Sequence, residues 1–380
     1  MRTLLHAAFF YWRRQIHSFN TYGNSFCGII SPNMQRQPSI NYYRSAPALF
    51  LLAFALCLFS ACNPGGDLQD DSIDADIRTE IAELNKKVIS GLTNNKPDQI
   101  MQLCSDEIRN DPAQRKAVKE LAAETHVTFQ AARYSVRKQF YERRRTKNST
   151  ISVSTGGSSE HDYTLNYKSQ TRRSFVSIGY VEDSIRTFAV LTVYGNYNGS
   201  WKLNILRVGV VKVFGKDAVD WYYRARQQYA DNALVDAFNS ESMCTSLLQP
   251  AGEGWHYRNE GDMSSLIQQI KSTAERDLSF PIIVEDVATK PKIFNASSEL
   301  FSEGYFPRVS YATKLPFYDS LALARECDSL NAHVGDIFQG LDHYNKTIVY
   351  HIYPRVPADD NDTLITYHSM VRKTAASWFY

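Results

Sequence analysis

Residues 186–211 read RTFAVLTVYGNYNGSWKLNILRVGVV, and this stretch decides the fold class. In FAVLTVY both alternating sets of side chains are apolar, so the strand is predicted to be buried on both faces. Asn198-Gly199 is the dipeptide that favours a tight hairpin turn, because both of its residues tolerate positive φ. Beyond the turn, Trp201, Leu203 and Ile205 alternate with Lys202 and Asn204, the period-two pattern of a returning strand. Working back from the hairpin, ISVS, DYTLNYK and RSFVSIGYVE follow one another from residue 149, separated by Gly-Gly-Ser-Ser and Thr-Arg-Arg. Short alternating segments joined by tight turns predict an antiparallel meander. Residues 132–145 (ARYSVRKQFYERRR) fit either a helix or an edge strand.

Before the strands the period changes. Ile77, Ile81, Leu84, Val88 and Leu92 recur at three and four residues, so an amphipathic helix is expected within 73–95. Pro97 opens a second helix, where its missing N–H costs nothing. A third is expected over about 112–124. Helices first, then a twisted antiparallel sheet ending in the hairpin NGSWKLNILRVG, resembles the NTF2-like cone fold. The resemblance covers roughly residues 76–214 and rests on element order. It implies that any pocket lies in the cone mouth between the first helices and the sheet. Tyr167, Tyr180, Tyr194 and Trp201 are the aromatic candidates to line it.

Downstream, residues 216–247 are predicted as a helical hairpin that closes the first domain, 76–250. Pro250-Ala-Gly-Glu-Gly is a breaker cluster and the expected boundary. Residues 251–380 are expected to form a second, smaller α+β domain. It comprises a helix at 263–276, strands at 281–286, 291–297 and 305–312, a long helix at 316–339 ended by Gly340, and two final strands. The fold class is therefore α+β throughout.

The N-terminal region carries an address. Ala48–Ala61 reads ALFLLAFALCLFSA, too short to span a bilayer and preceded by Arg36 and Arg44. It ends Leu58-Phe59-Ser60-Ala61-Cys62, where small residues before the cysteine suit an extended chain in a peptidase groove. This resembles the lipobox of bacterial lipoproteins, although Phe59 departs from the usual Leu, Val or Ile. The resemblance implies cleavage before Cys62 and lipid attachment to its thiol. Residues 34–61 are then the signal peptide, and 1–33 an upstream extension preceding a start at Met34. Residues 62–75 are polar and acidic and are expected to be a flexible tether. Asn63, by resemblance to enteric sorting rules, implies the outer membrane. Gln69-Asp70-Asp71 resembles the surface-export signals of Bacteroidota lipoproteins.

Residues 1–61 hold five arginines and no other charged side chain. From Cys62 onward 37 basic residues face 40 acidic ones, which gives no electrostatic reason to expect nucleic acid. Cys104, Cys244 and Cys327 remain once Cys62 carries lipid, so at most one disulfide can form. They are read as small buried hydrophobes, with Cys104–Cys244 as the pairing to consider. No HExxH, CxxC or GxSxG occurs, and no cofactor is expected.

Three local features admit a functional reading. His351 and His368 sit in two strands expected to be neighbours, and His343 with Asp342 precedes them, so an acid–base or metal group there is conceivable. Asp359, Asp360 and Asp362 cluster in a predicted hairpin tip, without the glycine and final glutamate of a calcium loop. Arg133, Arg137, Lys138, Arg143, Arg144, Arg145, Lys147, Arg172 and Arg173 gather in and beside strands. They form either a polyanion or headgroup surface, or a charged edge that blocks sheet-to-sheet pairing. The leading expectation is a non-enzymatic, lipid-anchored envelope module that binds a small molecule or an envelope protein. The alternatives are an envelope-polymer hydrolase using His351, His368 and nearby carboxylates, and a structural subunit of an envelope complex.

Overall fold

The computed structural model describes residues 67–130, 132–358 and 367–374. The expected signal peptide, Cys62 and Asp359, Asp360 and Asp362 lie outside these residues. The fold is mixed α+β, and its sheets are antiparallel apart from one pair of strands.

The chain enters through β1 (Leu68–Gln69) and a single 3-10 turn, Asp70–Ser72. Four helices follow: α1 (Ala75–Thr93), α2 (Pro97–Leu103), α3 (Asp106–Asn110) and α4 (Pro112–Phe129). Asp74 caps α1 by accepting from Asp76 N, and Asp111 caps α4 by accepting from Ala113 N. Pro97 and Pro112 stand in the first turns of their helices.

Then come β2 (Arg133–Arg143), β3 (Ser149–Ser154), β4 (Tyr163–Ser169), β5 (Arg173–Glu182), β6 (Arg186–Tyr197) and β7 (Ser200–Val213). The ambiguous stretch at 132–145 is thus a strand, with alternate partners on β5 over its whole length. The hairpin closes at Asn198-Gly199 with φ of 54° and 94°, the positive values the dipeptide was read for.

The meander is interrupted. The main sheet runs β1-β2-β5-β6-β7, while β3 and β4 leave it and form a second sheet with β8 (Trp255–Tyr257). The physical reason lies in the pattern of β3 and β4. Ile151, Val153, Tyr163, Leu165 and Tyr167 are buried and alternate with more exposed residues, so the hairpin has one apolar face and packs it onto the main sheet. The main sheet is consequently covered on both sides. On one face α1, α2 and α4 bury Ile81, Val88, Leu92, Ile100, Val118 and Phe129 against Tyr141, Phe175, Tyr194 and Trp201. On the other, Val176, Ile178, Leu191 and Val193 meet the small sheet and two helices, α5 (Ala218–Ala230) and α6 (Leu234–Leu247). FAVLTVY is buried on both faces because it lies between these layers.

Across Pro250 the chain stays in the first core. Trp255 on β8 stacks on Tyr163 with ring centroids 3.6 Å apart, and Met263 and Ile267 of α7 (Glu260–Asp277) join the same cluster. The remaining strands are β9 (Ile282–Ile283), β10 (Lys292–Leu300), β11 (Tyr305–Ala312), β12 (Thr347–Tyr353) and β13 (His368–Lys373). They form a sheet ordered β13-β12-β11-β10-β9. Strands β11 and β12 are parallel, so a crossover must join them. That crossover holds the predicted long helix, broken into α8 (Ser320–Ala332) and α9 (Val334–Ile337), and then α10 (Leu341–Tyr344) beyond its expected end at Gly340. Gly340, with φ of 87°, reverses the chain before α10 as a left-handed residue must. Leu323, Cys327, Leu330, Val334, Phe338 and Leu341 still share one buried cluster with Ile348, Tyr350 and Ile352.

Residues 67–75 of the expected tether carry β1, the 3-10 turn and the start of α1. Their acids have found basic partners: Asp67 pairs with Arg144 at 2.8 Å, Asp70 with Lys138 at 3.0 Å and Asp71 with Arg78 at 2.6 Å. Cys104, Cys244 and Cys327 are free and buried. Cys104 belongs to the helix-side core and Cys244 to the opposite one, which separates the pair considered from the sequence.

Candidate functional site

The expected opening between the first helices and the sheet is filled. Asn85 on α1, 1% exposed, donates to Ser177 Oγ and accepts from Thr192 Oγ1 and from Tyr194 Oη at 2.8–2.9 Å. The surrounding side chains of the helix-side core close over this network. Tyr194 is therefore part of a structural polar cluster, and Trp201 packs edge-on to Tyr141 and Phe175. Tyr167 lies in the opposite core, where its hydroxyl meets Ser174 at 2.9 Å. Of the four aromatic candidates, Tyr180 alone lines the cleft described next.

That cleft, of about 370 Å³, opens on the side of the main sheet away from α1. It is bordered by Arg137, Lys138, His161, Asp162, Tyr180, Glu182 and Lys212, among others. Period-two alternation puts Lys138, Tyr180 and Glu182 on one face of β2 and β5. A bulge in β2 between Val136 and Lys138 breaks that alternation and turns Arg137 towards the same opening. Arg137 pairs with Glu182 at 2.7 Å and lies 5.2 Å over the ring of Tyr180. Lys138 is neutralised by Asp70. Lys212, on β7, has no ion pair among the described residues.

The far wall is the β3–β4 loop, 155–162. Asp162 accepts from Ser159 N at 2.9 Å and from Thr155 Oγ1 at 3.2 Å. The backbone bond from Ser159 holds its carboxyl below the usual carboxylate range. Next to it, His161 Nδ1 lies 2.8 Å from Asp217 Oδ2. Asp217 is the N-cap of α5: its Oδ1 accepts from Val219 N and Asp220 N, and Asp220 returns a carboxylate to Asp217 N at 2.9 Å. Glu160 accepts a hydrogen bond from Tyr223, so two contacts pin the loop against α5. The carboxylate at Nδ1 fixes the tautomer with the proton on that nitrogen. In the neutral ring Nε2 is then the acceptor, on a side chain that is half exposed.

His161, Asp217 and Asp220 bring one ligand atom each within 4.8 Å of one another. Both oxygens of Asp217 are already engaged, three N–H groups pointing at them. The arrangement is a capping box extended by an imidazole, and its donors face inwards. It suits proton acceptance at His161 Nε2 better than cation binding.

The histidines singled out from sequence do not come together. His351 is opposite Ser369 across β12 and β13, while His368 is opposite Ile352. Cross-strand partners share a face, so the two imidazoles point to opposite sides of the sheet. His351 is buried, 3.3 Å from Glu299 and stacked on Tyr367 at 4.3 Å. His368 Nε2 lies 3.0 Å from the carbonyl of Phe317. His343 is exposed on α10, edge-on to Tyr344. The His161–Asp217 pair was not singled out from the sequence, since 56 residues separate its members. The one local signal was the Asp217-x-x-Asp220 spacing of a helix start.

No helix of the described residues is long and apolar enough to cross a membrane. No family model, curated protein or solved structure matches this chain.

Proposed function

We propose that this chain is a lipid-anchored cell-envelope protein, attached through Cys62 to the outer membrane, whose body is a non-enzymatic module for a small anionic ligand. The order of helices followed by strands β2, β5, β6 and β7 of the antiparallel main sheet supports an NTF2-like reading of the first half. The cleft beside His161 is the observation that carries the binding role. Its arginine and one of its lysines are neutralised by carboxylates, whereas Lys212 and His161 Nε2 are left to meet an incoming group. An anion that also carries a hydroxyl, such as a hydrogen phosphate or a sugar phosphate, matches that pair within about 370 Å³: its charged oxygens meet Lys212 and its hydroxyl donates to Nε2. Thermal-shift titration of the purified protein with inorganic phosphate, sugar phosphates and dicarboxylates tests this reading. A saturable shift that Lys212→Ala abolishes supports it; no shift with any of them, or one indifferent to Lys212→Ala, removes it.

A second reading is favoured by the His161–Asp217 pair itself. A neutral imidazole with its Nδ1 proton held by a carboxylate is the form a general base takes, so a hydrolase would use this pair rather than His351 and His368. Turnover of an envelope glycan or ester substrate that His161→Ala eliminates would select it.

A further inference from the structure

The covalent chain sets a limit on where the anchor sits. Asp67 is five residues beyond Cys62, and a fully extended chain of that length spans at most about 18 Å. Asp67 is itself fixed, ion-paired to Arg144 and followed at once by β1, whose Leu68 faces Tyr141 on β2. If Cys62 carries lipid, the end of the main sheet that holds Asp67 stays within that reach of the bilayer.

The same end collects cationic side chains. Arg144 N donates to the carbonyl of Arg172 at 2.8 Å, which ties the β2–β3 loop to the β4–β5 turn. Arg143 and Arg173 are direct cross-strand partners on β2 and β5. Arg145 and Lys147 follow in the loop. All five of Arg143, Arg145, Lys147, Arg172 and Arg173 are exposed, and none has an ion pair among the described residues. The two carboxylates nearby, Asp67 and Glu142, are both taken by Arg144, and Glu142 is 1% exposed. Like charges directly across a ladder oppose folding, so Arg143 facing Arg173 is an arrangement the fold bears rather than gains from.

We propose that this end of the sheet docks on anionic lipid headgroups of the membrane that carries the anchor, with Arg143, Arg145, Lys147, Arg172 and Arg173 as the contact. The inference rests on the lipid-anchor reading and adds an orientation to it. One acyl-bearing residue and a basic patch within its reach are the two signals that together hold a protein at a surface. The docked body would stand with the β1 end down, and the cleft at Tyr180 and Glu182 lies toward the opposite end of β5 from Arg173.

The test uses the full-length processed protein in vesicles of phosphatidylcholine, alone or mixed with phosphatidylglycerol. Hydrogen exchange should slow at residues 143–148 and 170–174 in the anionic vesicles only, and high salt should reverse it. A variant with all five residues changed to Ser should lose the protection, and one with Lys116→Ser and Lys119→Ser on α4 should keep it. Exchange indifferent to headgroup and salt overturns the proposal, and needs no variant to fold. It then leaves the basic residues as a charged edge against aggregation. Mass spectrometry on the same sample separates the two claims. Lipid at Cys62 without headgroup-dependent protection refutes the docking and spares the anchor; no lipid at Cys62 refutes both.

Discussion

Arg144, which follows β2, lies 2.8 Å from Asp67, which precedes β1, and ion-pairs the two segments. The same guanidinium reaches Glu142 at 2.7 Å. Burial raises the Glu142 carboxyl to about 8, with the neighbouring Asp67 adding to the rise. The folded state therefore keeps a proton that the unfolded chain has released, and stability falls as pH rises from about 4.5 to about 8. Asp67 has the opposite sign, since its carboxyl is held low and its contribution is lost in acid. Glu142→Gln is expected to flatten the fall between pH 5 and pH 8.5, with a gain of about 1–3 kcal/mol at the upper end. Thermal melts of the two proteins across that range check it, and parallel curves would count against it.

Asn85 satisfies three hydroxyls within the helix-side core. Asn85→Ala leaves buried groups on Ser177, Thr192 and Tyr194 without that partner and is expected to cost about 1–3 kcal/mol. Denaturant unfolding reads this directly. A loss below a few tenths of a kcal/mol would mean that the network is not closed as described.

Trp255 carries the chain across Pro250 by stacking on Tyr163. Trp255→Ala is expected to cost about 3–5 kcal/mol and to loosen β8 from β4. Hydrogen exchange at residues 163–167 should then rise together with the loss in stability. If those amides stayed protected, β8 would not be needed to close the small sheet.

Asp217 and His161 should separate in their effects. Asp217→Ala removes the cap of α5 and is expected to cost about 1 kcal/mol, whereas His161→Ala, at a half-exposed ring, should change stability by less than about 0.5 kcal/mol. His161→Ala should still weaken binding of a hydroxyl-bearing anion taken up in the cleft. Equal stability losses in the two variants would make the imidazole structural.

Much of the fold was legible because its signals are local. The Asn198-Gly199 turn, the doubly apolar FAVLTVY and the spacing of Ile81, Val88 and Leu92 each report the chain's immediate surroundings. What escaped depends on distant partners. The departure of β3 and β4 from the main sheet requires Trp255, some ninety residues on, to cover them. The break at His333 in the predicted helix at 316–339 is invisible to apolar periodicity, because Cys327 and Leu330 before it and Val334 and Phe338 after it stay buried. The cleft was less legible still. His161 and Asp217 belong to a loop and a helix cap, and period-two reasoning cannot bring Tyr180 together with Lys212 from a third strand. The histidines at 351 and 368 looked adjacent, but a one-residue offset in register turns them to opposite faces.

The account stands on Cys62, and intact-mass and N-terminal analysis of the protein from its native membrane tests it most directly. The predicted result is a chain beginning at Cys62 with diacylglyceryl on its sulfur, and a Cys62→Ser form that has neither that modification nor cleavage at this position. A mature chain that retains residues 34–61, or a free thiol at Cys62, would contradict it.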